Sequence, residues 1–293
     1  MDNFQKVEVQ IISAFVDNGK GGNSAGVVLN ADNLTNEQKL KVATKVGLSE
    51  TAFVSKSKVA DFKLDFFTPT RQIAHCGHAT IATFSYLSQL GLIKSKHSSK
   101  ETIDGKREIL IQNDLAFMEQ KPPLYIEIAD YREKILYSLG LTEDDTLTNA
   151  PISIVNTGNS FAIIPVASDD ILKKIIPNLD LITQISDEFD LIGYYVFSTK
   201  TNNEERVATT RMFAPRYGIA EEAGTGMAAG PLACYLFDNL GLKKDRILIQ
   251  QGWFMNPPSQ SLIIVNLIVE KGNITKVMAG GKGIVVTSMT IEI

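Results

Sequence analysis

The 293-residue sequence is poor in the residues that build disulfide frameworks and metal centres. It contains two cysteines, three histidines and one tryptophan. Two cysteines cannot form a disulfide framework, so we expect a reducing, cytoplasmic location. Any metal site would depend on carboxylates, and the spacing of His75, Cys76 and His78 is too crowded for a usual zinc motif. We therefore do not expect a metal site.

Long apolar runs and an excess of positive charge are also lacking. The longest apolar run, 262–269, is interrupted by Asn266 and is far shorter than a membrane span. The N-terminus has neither the basic start nor the apolar stretch of a signal peptide. A net charge of −4 argues against a broad nucleic-acid-binding face. We expect a protein that binds neither membranes nor nucleic acids.

What the sequence does contain is typical of a globular protein with a sizeable core. Hydrophobic residues make up 44% and charged residues 21% of a chain about two domains long. Thr35 and Gln38 form a capping box, which predicts a helix that ends at Gly47. A second helix is predicted from about Gly77 to Gly91, where glycine can adopt the left-handed conformation.

A hairpin and a linker are predicted in the middle of the chain. Asp104-Gly105 is a tight-turn signal, and we interpret the lysines of the surrounding stretch, 94–107, as solvated hairpin surface. Pro122-Pro123 resists both helix and central strand and is the best linker candidate. The domains are accordingly predicted as 1–124 and 125–293. Whether the last strand, near Ile284–Thr287, packs with its own half or crosses to the first stays open.

The second half of the chain repeats short motifs of the first half in the same order. The pairs are Gly22-Asn23-Ser24 with Gly158-Asn159-Ser160, Phe67-x-Pro69 with Phe213-x-Pro215, Gly77-x-Ala79 with Gly226-x-Ala228, and Leu90-Gly91-Leu92 with Leu240-Gly241-Leu242. Such order predicts two copies of one fold rather than a solenoid. Related copies commonly pack about a pseudo-twofold axis, and the cleft between matching elements is then the expected place for a site.

In each copy a glycine-containing turn leads directly into a helix. The turns are Cys76-Gly77-His78 and Gly224-Thr225-Gly226. Helix starts offer unpaired N–H groups and the positive end of the helix dipole, so two such turns suit a small anion such as a carboxylate. The alternative is that these glycines only permit close helix packing. Neither turn is a nucleotide-binding fingerprint.

Three side chains near these turns are candidates for chemistry, each with a plainer alternative. Glu50 stands at the mouth of an apolar strand, where partial desolvation favours general acid–base work; the alternative is an exposed carboxylate. His78 opens a helix and can orient a substrate, or it has no chemical role. Cys76, beside the same helix start, is either a reactive thiol or a small buried side chain.

Several motifs together resemble one enzyme family. They are Ser49-Glu50-Thr51-Ala52-Phe53-Val54, Phe66-Phe67-Thr68-Pro69, Cys76-Gly77-His78-Ala79-Thr80 and Gly218-Ile219-Ala220-Glu221-Glu222-Ala223-Gly224-Thr225-Gly226. In this order they resemble the PhzF-like isomerases of phenazine biosynthesis, which have the diaminopimelate epimerase fold. The resemblance implies an α+β protein of two similar, pseudo-twofold-related domains, each a mostly antiparallel curved sheet around a central helix.

The resemblance also implies a cofactor-independent, cytoplasmic, homodimeric isomerase that moves a proton on a small carboxylated metabolite held in the cleft between the halves. The family's catalytic glutamate and histidine fall on Glu50 and His78, and its aspartate and serine fall on Glu222 and Met227. We therefore predict Glu50, His78 and Glu222 as catalytic. The predicted substrate-binding residues are Asn23, Ser24, Cys76, Gly77, Gly224, Thr225, Gly226 and Met227.

Two other functions stay open at this point. One is a non-catalytic protein that binds a small molecule on the same fold, since Met227 replaces the family's serine and Pro257 stands where the family often has arginine. The other is a racemase or epimerase that depends on Cys76. Related epimerases use one thiol from each half, but the second thiol position falls on Ala223, so the two-thiol mechanism is not expected here.

Overall fold

The computed structural model describes residues 5–293 and confirms an α+β protein. Its chain contacts divide into two compact units. Unit 1 comprises residues 1–119 and 280–293, and unit 2 comprises residues 120–279. The sequence placed the division after residue 124 and left the course of the last strand open. Within the described residues, none of the helices has both the length and the apolar character needed to cross a bilayer.

Unit 1 is a mostly antiparallel sheet that closes on itself. Its strands are β1 (Lys6–Ala14), β2 (Asn23–Val28), β3 (Thr51–Ser55), β4 (Phe62–Phe67), β5 (Gln72–Ile73), β6 (His97–Thr102), β7 (Gly105–Gln112), β8 (Leu115–Gln120, which ends in unit 2) and the second part of β17 (Asn273–Glu292). Pairing runs β1–β2–β3–β4–β6–β7–β8 and returns to β1 through β17. Only β2–β3 and β4–β6 are parallel among the registered pairs.

Unit 2 contains the strands β9 (Leu124–Glu127), β10 (Ser153–Asn156), β11 (Ser160–Pro165), β12 (Gly193–Ser198), β13 (Ala208–Ala214), β14 (Ile219–Glu222), β15 (Arg246–Gln251) and β16 (Ser261–Glu270). Pairing runs β9–β10–β11–β12–β13–β15–β16, with β14 on β13. Here β11–β12 and β13–β15 are the parallel pairs. The two units therefore share one order of parallel and antiparallel pairs, as the repeated motifs predicted.

Each unit has one long helix, and the two helices follow equivalent strands, β5 in unit 1 and β14 in unit 2. The helices of unit 1 are α1 (Asn36–Val46) and α2 (Gly77–Gln89), and those of unit 2 are α3 (Arg132–Ser138), α4 (Asp169–Lys174), α5 (Leu179–Glu188) and α6 (Gly226–Asp238). Almost every residue of α2 and α6 is buried. A helix that is apolar on all sides needs protein around it, so α2 and α6 are the central helices of their units.

The local sequence signals have three outcomes in the structure. The Thr35 hydroxyl accepts from the Gln38 amide and the Gln38 side chain accepts from the Thr35 amide, which confirms the capping box, and Gly47 ends α1 with a positive φ. The hairpin at Asp104-Gly105 is confirmed as the turn between β6 and β7. The interpretation of the surrounding lysines as solvated is wrong for Lys100, which is 0% exposed.

Candidate active site

Glu50 is held immediately before β3 by the neighbouring strand. The Gly26 amide of β2 donates to the Glu50 carbonyl at 3.0 Å. A Cβ on Gly26 would stand 2.8 Å from Thr51 Oγ1, so only glycine lets the two strands approach this closely. The Glu50 side chain is buried, at 7% residue exposure. The predicted base is therefore a desolvated carboxylate rather than an exposed one.

Cys76 and His78 lie at the start of α2, where the chain changes from extended to helical. Cys76 is the N-cap residue and makes no capping hydrogen bond through its side chain. Thr80 stabilises the turn instead, because its hydroxyl donates to the Cys76 carbonyl at 2.6 Å. Both Cys76 and His78 are buried, at 5% and 4% exposure.

Glu50, His78 and Cys76 form one cluster in unit 1, which we call the acid–base trio. His78 Nε2 lies 3.2 Å from Glu50 Oε2, without the alignment of a hydrogen bond. On the other side of the ring, His78 Nδ1 lies 3.6 Å from Cys76 Sγ. The imidazole therefore stands between a carboxylate and a thiol.

The electrostatics of the trio favour a protonated thiol. Burial raises the pKa of Cys76, and the nearby Glu50 carboxylate raises it further, against a smaller opposing effect of His78. A protonated thiol can donate to His78 Nδ1, which lies 3.6 Å away. In that tautomer the ring hydrogen lies on Nε2, the nitrogen nearer to Glu50.

The trio also offers three potential metal ligands within 4.8 Å of one another. A metal needs ligand lone pairs that converge on one point. Here the carboxylate approaches Nε2 and the thiol approaches Nδ1, and these two nitrogen lone pairs diverge. The raised pKa of Cys76 also opposes a metal-binding thiolate. The arrangement suits a proton relay better than a chelate.

In unit 2, Glu222 ends β14 and is fixed by a neutral polar network. The Thr225 hydroxyl donates to Glu222 Oε2 in a short hydrogen bond. Gln251 Nε2 donates to the Glu222 carbonyl at 2.7 Å and to Thr225 Oγ1 at 3.1 Å. Gln251 Oε1 accepts from the Thr225 amide at 3.1 Å and from the Tyr195 hydroxyl at 3.0 Å.

The other predicted substrate-binding residues lie close to these two clusters along the chain. Gly77 begins α2, while Gly224 and Gly226 flank Thr225 at the start of α6. The thioether sulfur of Met227 accepts a hydrogen bond from the Asn159 side-chain amide at 3.7 Å. Asn23 and Ser24 open β2, the strand that holds Glu50 through Gly26.

Sequence reasoning assigned no role in the site to two polar residues that support these clusters. Gln251 is 0% exposed and joins Glu222, Thr225 and Tyr195. Its presence in a Gln-Gly pair after an apolar strand was the only signal available. Lys100 was hidden because β6 reads as a polar hairpin strand, with no apolar alternation to mark its inward positions.

Comparison with known proteins places these residues in a family context. The family model "Phenazine biosynthesis-like protein" matches residues 12–289. An uncharacterized isomerase of Clostridium acetobutylicum is 33% identical over 96% of this chain and 97% of its own length. The uncharacterized isomerase YddE of Salmonella typhimurium is 34% identical over 79% of both chains. The crystal structure of a Bacillus anthracis phenazine biosynthesis protein of the PhzF family has a TM-score of 0.88 at 27% identity, covering 99% of this chain and 100% of its own.

Proposed function

The chain belongs to the phenazine biosynthesis-like protein family and is an isomerase, and from this premise we propose that it moves a proton between two carbons of a small carboxylated metabolite, with Glu50 as the base. The observation that carries the proposal is the position of Glu50. Its carboxylate is desolvated, lies 3.2 Å from an imidazole, and sits beside a helix start. A buried carboxylate beside an imidazole is placed to accept a substrate proton without competition from bulk water.

The reaction needs no electron transfer. Glu50 takes a proton from one substrate carbon, so a C–H bond breaks and an O–H bond forms on the carboxylate. The electron pair left on the substrate shifts its double bond, and the protonated Glu50 returns the proton to a second carbon. Substrate and product are isomers, and Glu50 ends as it began.

His78 orients the Glu50 carboxylate and stabilises its negative charge. With Nε2 protonated, the ring places a positive N–H edge against Glu50 Oε2 and leaves the other carboxylate oxygen for the substrate proton. The Cys76 thiol on Nδ1 favours this tautomer. The histidine thus lowers the cost of a buried carboxylate without itself taking the substrate proton.

Glu222 is proposed as a second contributor, on the resemblance of its position to the family's aspartate. Its carboxylate is held by Thr225, and its carbonyl by Gln251. A charged side chain fixed in this way can orient or polarise a substrate without moving. We propose this supporting role for Glu222 and keep the proton transfer with Glu50.

A mechanism with Cys76 as the base is the second candidate, favoured by the contact of its sulfur with His78. Against it stands the raised pKa of the buried thiol, which keeps the sulfur protonated. A binding protein without catalysis is the third candidate. A single set of variants distinguishes the three functions.

The experiment is proton NMR in D2O with a panel of small carboxylates that includes dihydro-3-hydroxyanthranilate and α-amino acids. The proteins are wild type, Glu50→Gln, Cys76→Ala and the matched control Glu37→Gln, an exposed carboxylate on α1. We expect wild type, the control and Cys76→Ala to exchange a carbon-bound proton of one compound. Glu50→Gln should bind that compound and exchange it at least ~10³-fold more slowly.

Each other outcome selects a different function. Exchange that survives Glu50→Gln contradicts the proposed base. Exchange that is lost in Cys76→Ala but not in Glu50→Gln establishes the thiol mechanism. Binding of compounds without exchange by the wild type supports the non-catalytic alternative.

We further propose that the enzyme acts as a cytoplasmic homodimer without a cofactor. Two free, buried cysteines suit a reducing compartment. Light scattering on the purified protein gives the number of subunits. Dialysis against EDTA should leave the exchange rate unchanged, because the proposed proton transfer uses side chains alone; a loss of rate that zinc restores would contradict this.

A further inference from the structure

Lys100 is a buried amine with an unusual set of neighbours. It lies on β6, paired with Phe62 of β4 and with Arg107 of β7, and it is 0% exposed. Its polar contacts in the described part of the chain are a hydroxyl and an imidazole rather than a carboxylate. The ring of Phe66 lies 5.1 Å from Nζ, measured to the centroid. Burying a lysine without an acidic partner is costly, so a role for its amine is expected.

The two polar contacts of Lys100 bracket the start of α2. Nζ donates to Thr80 Oγ1 at 2.7 Å, and it lies 3.1 Å from His75 Nδ1. His75 immediately precedes Cys76, and Thr80 lies one helical turn after it. One amine therefore touches the chain on both sides of Cys76, Gly77 and His78.

Thr80 connects Lys100 to the backbone of Cys76 through a second hydrogen bond. The Thr80 hydroxyl has one hydrogen, which it donates to the Cys76 carbonyl at 2.6 Å. Its oxygen therefore acts as the acceptor for Lys100. The Cys76 side chain makes no capping hydrogen bond. Its carbonyl accepts the ordinary helical bond from the Thr80 amide at 3.3 Å. The two hydrogen bonds from Lys100 through the Thr80 hydroxyl add a second restraint on the same carbonyl.

We propose that Lys100 is a positioning residue of the active site, which holds the backbone of Cys76–His78 through Thr80 and His75 and so keeps the imidazole against Glu50. The inference rests on the function proposed above, because that function makes the His78–Glu50 contact matter. Lys100 touches none of the trio's side chains through a hydrogen bond, so it acts on catalysis only through the start of α2.

Thiol labelling tests this link without any substrate. The chain has two cysteines, both free and buried, Cys76 at the proposed site and Cys234 within α6. In Lys100→Met we expect iodoacetamide to label Cys76 at least ~10-fold faster than in wild type, with Cys234 unchanged. Lys106→Met, an exposed lysine of the same hairpin, is the matched control and should change neither rate.

Turnover provides the second measurement. With the compound found by D2O exchange, Lys100→Met should lower kcat at least ~10-fold and change KM less than ~3-fold, because the imidazole that orients the base is displaced while Glu50 itself stays in place. Thr80→Val should reproduce both effects, and Thr80→Ser should restore them towards wild type. The Thr80 pair keeps the test decisive if Lys100→Met does not fold.

The outcomes separate this inference from the proposed function. Unchanged Cys76 labelling and unchanged kcat in both Lys100→Met and Thr80→Val overturn the positioning role. Equal acceleration of Cys76 and Cys234 labelling also overturns it, because it indicates general unfolding. Faster labelling of Cys76 alone, in a protein whose wild type exchanges no compound, overturns the function proposed above and not the link between Lys100 and α2.

Discussion

The two units build the start of their central helices on the same frame but with different chemistry. At the start of α2 stand Cys76 and His78, and at the matching positions of α6 stand Thr225 and Met227. Unit 1 places a titratable trio there, while unit 2 places a network of hydroxyl and amide groups around Glu222. The same frame therefore carries a cluster of titratable side chains in one copy and fixed polar contacts in the other.

Strand register extends the comparison to the base itself. Thr51 pairs with Phe67 in unit 1, and Tyr194 pairs with Phe213 in unit 2. The residues that precede them, Glu50 and Gly193, are therefore equivalent. A Cβ on Gly193 would stand 2.2 Å from the backbone oxygen of Phe213, so unit 2 has no room for a second base at this position. At this strand position, therefore, unit 1 carries a buried carboxylate and unit 2 has room only for glycine.

The largest predicted effect is on the exchange rate, and it should differ between variants of the two carboxylates, Glu50 and Glu222. We expect Glu50→Gln to lower the exchange rate at least ~10³-fold and Glu222→Gln about 10–100-fold, because the first removes the proton acceptor and the second only an orienting charge. Single-turnover exchange in D2O measures both variants side by side. Equal losses would mean that both carboxylates transfer protons, and would contradict the different roles proposed for the two units.

The next effect concerns the space at Gly193. We expect Gly193→Ala to lower the free energy of unfolding by about 3 kcal/mol or more, since the backbone of β13 must move to admit a methyl group. Gly26→Ala should cost less, because its Cβ meets the Thr51 side chain rather than backbone. Urea unfolding of both variants gives the values. A tolerated Gly193→Ala would show that unit 2 can accommodate a side chain where unit 1 has its base.

The third prediction uses Lys100, a buried lysine of unit 1. Burial lowers the pKa of Lys100 to about 7, with smaller effects of Cys76, Arg107 and Asp104. Between this pH and the lysine's ordinary pKa of 10.5, the unfolded chain binds a proton that the folded chain does not. The stability of wild type relative to Lys100→Met should therefore rise with pH, by about 2 kcal/mol from pH 7 to pH 9.

Urea midpoints of the two proteins at pH 7, 8 and 9 test this prediction. The pKa of His75, which contacts Lys100, is held well below 6.5 by burial first and by Lys100 and Arg107 next, so His75 stays neutral across the range. A difference that does not change with pH would mean that the Lys100 amine keeps its ordinary affinity for protons.

The smallest effect should come from the hydroxyl of Thr225 in unit 2. We expect Thr225→Ala to lower the free energy of unfolding by about 1 kcal/mol, because its hydroxyl contacts both Glu222 and Gln251. Thr225→Ser keeps the hydroxyl and should stay close to wild type. Thermal unfolding measures the pair; equal losses in both variants would assign the effect to the methyl group.

Much of this frame could be predicted because its signals are local. The Thr35 capping box, the Asp104-Gly105 hairpin and the glycine that begins α2 each depend on a few adjacent residues, and the repeated motifs predicted the shared topology. The contacts that define the site are not local. Lys100 meets Thr80 across twenty residues, and Gln251 meets Glu222 across twenty-nine. No periodicity marks such inward polar positions, so they were misread or missed.

The strand β17 has a consequence for the order of synthesis. Its residues from 280 onwards belong to unit 1, although all of unit 2 is translated before them. A nascent chain therefore carries β1 with only β2 beside it until the strand that pairs with Lys6–Ala14 leaves the ribosome. An open strand edge is a site of aggregation. We expect a chain stalled before Gly280 to need a chaperone, however well its second unit has already folded.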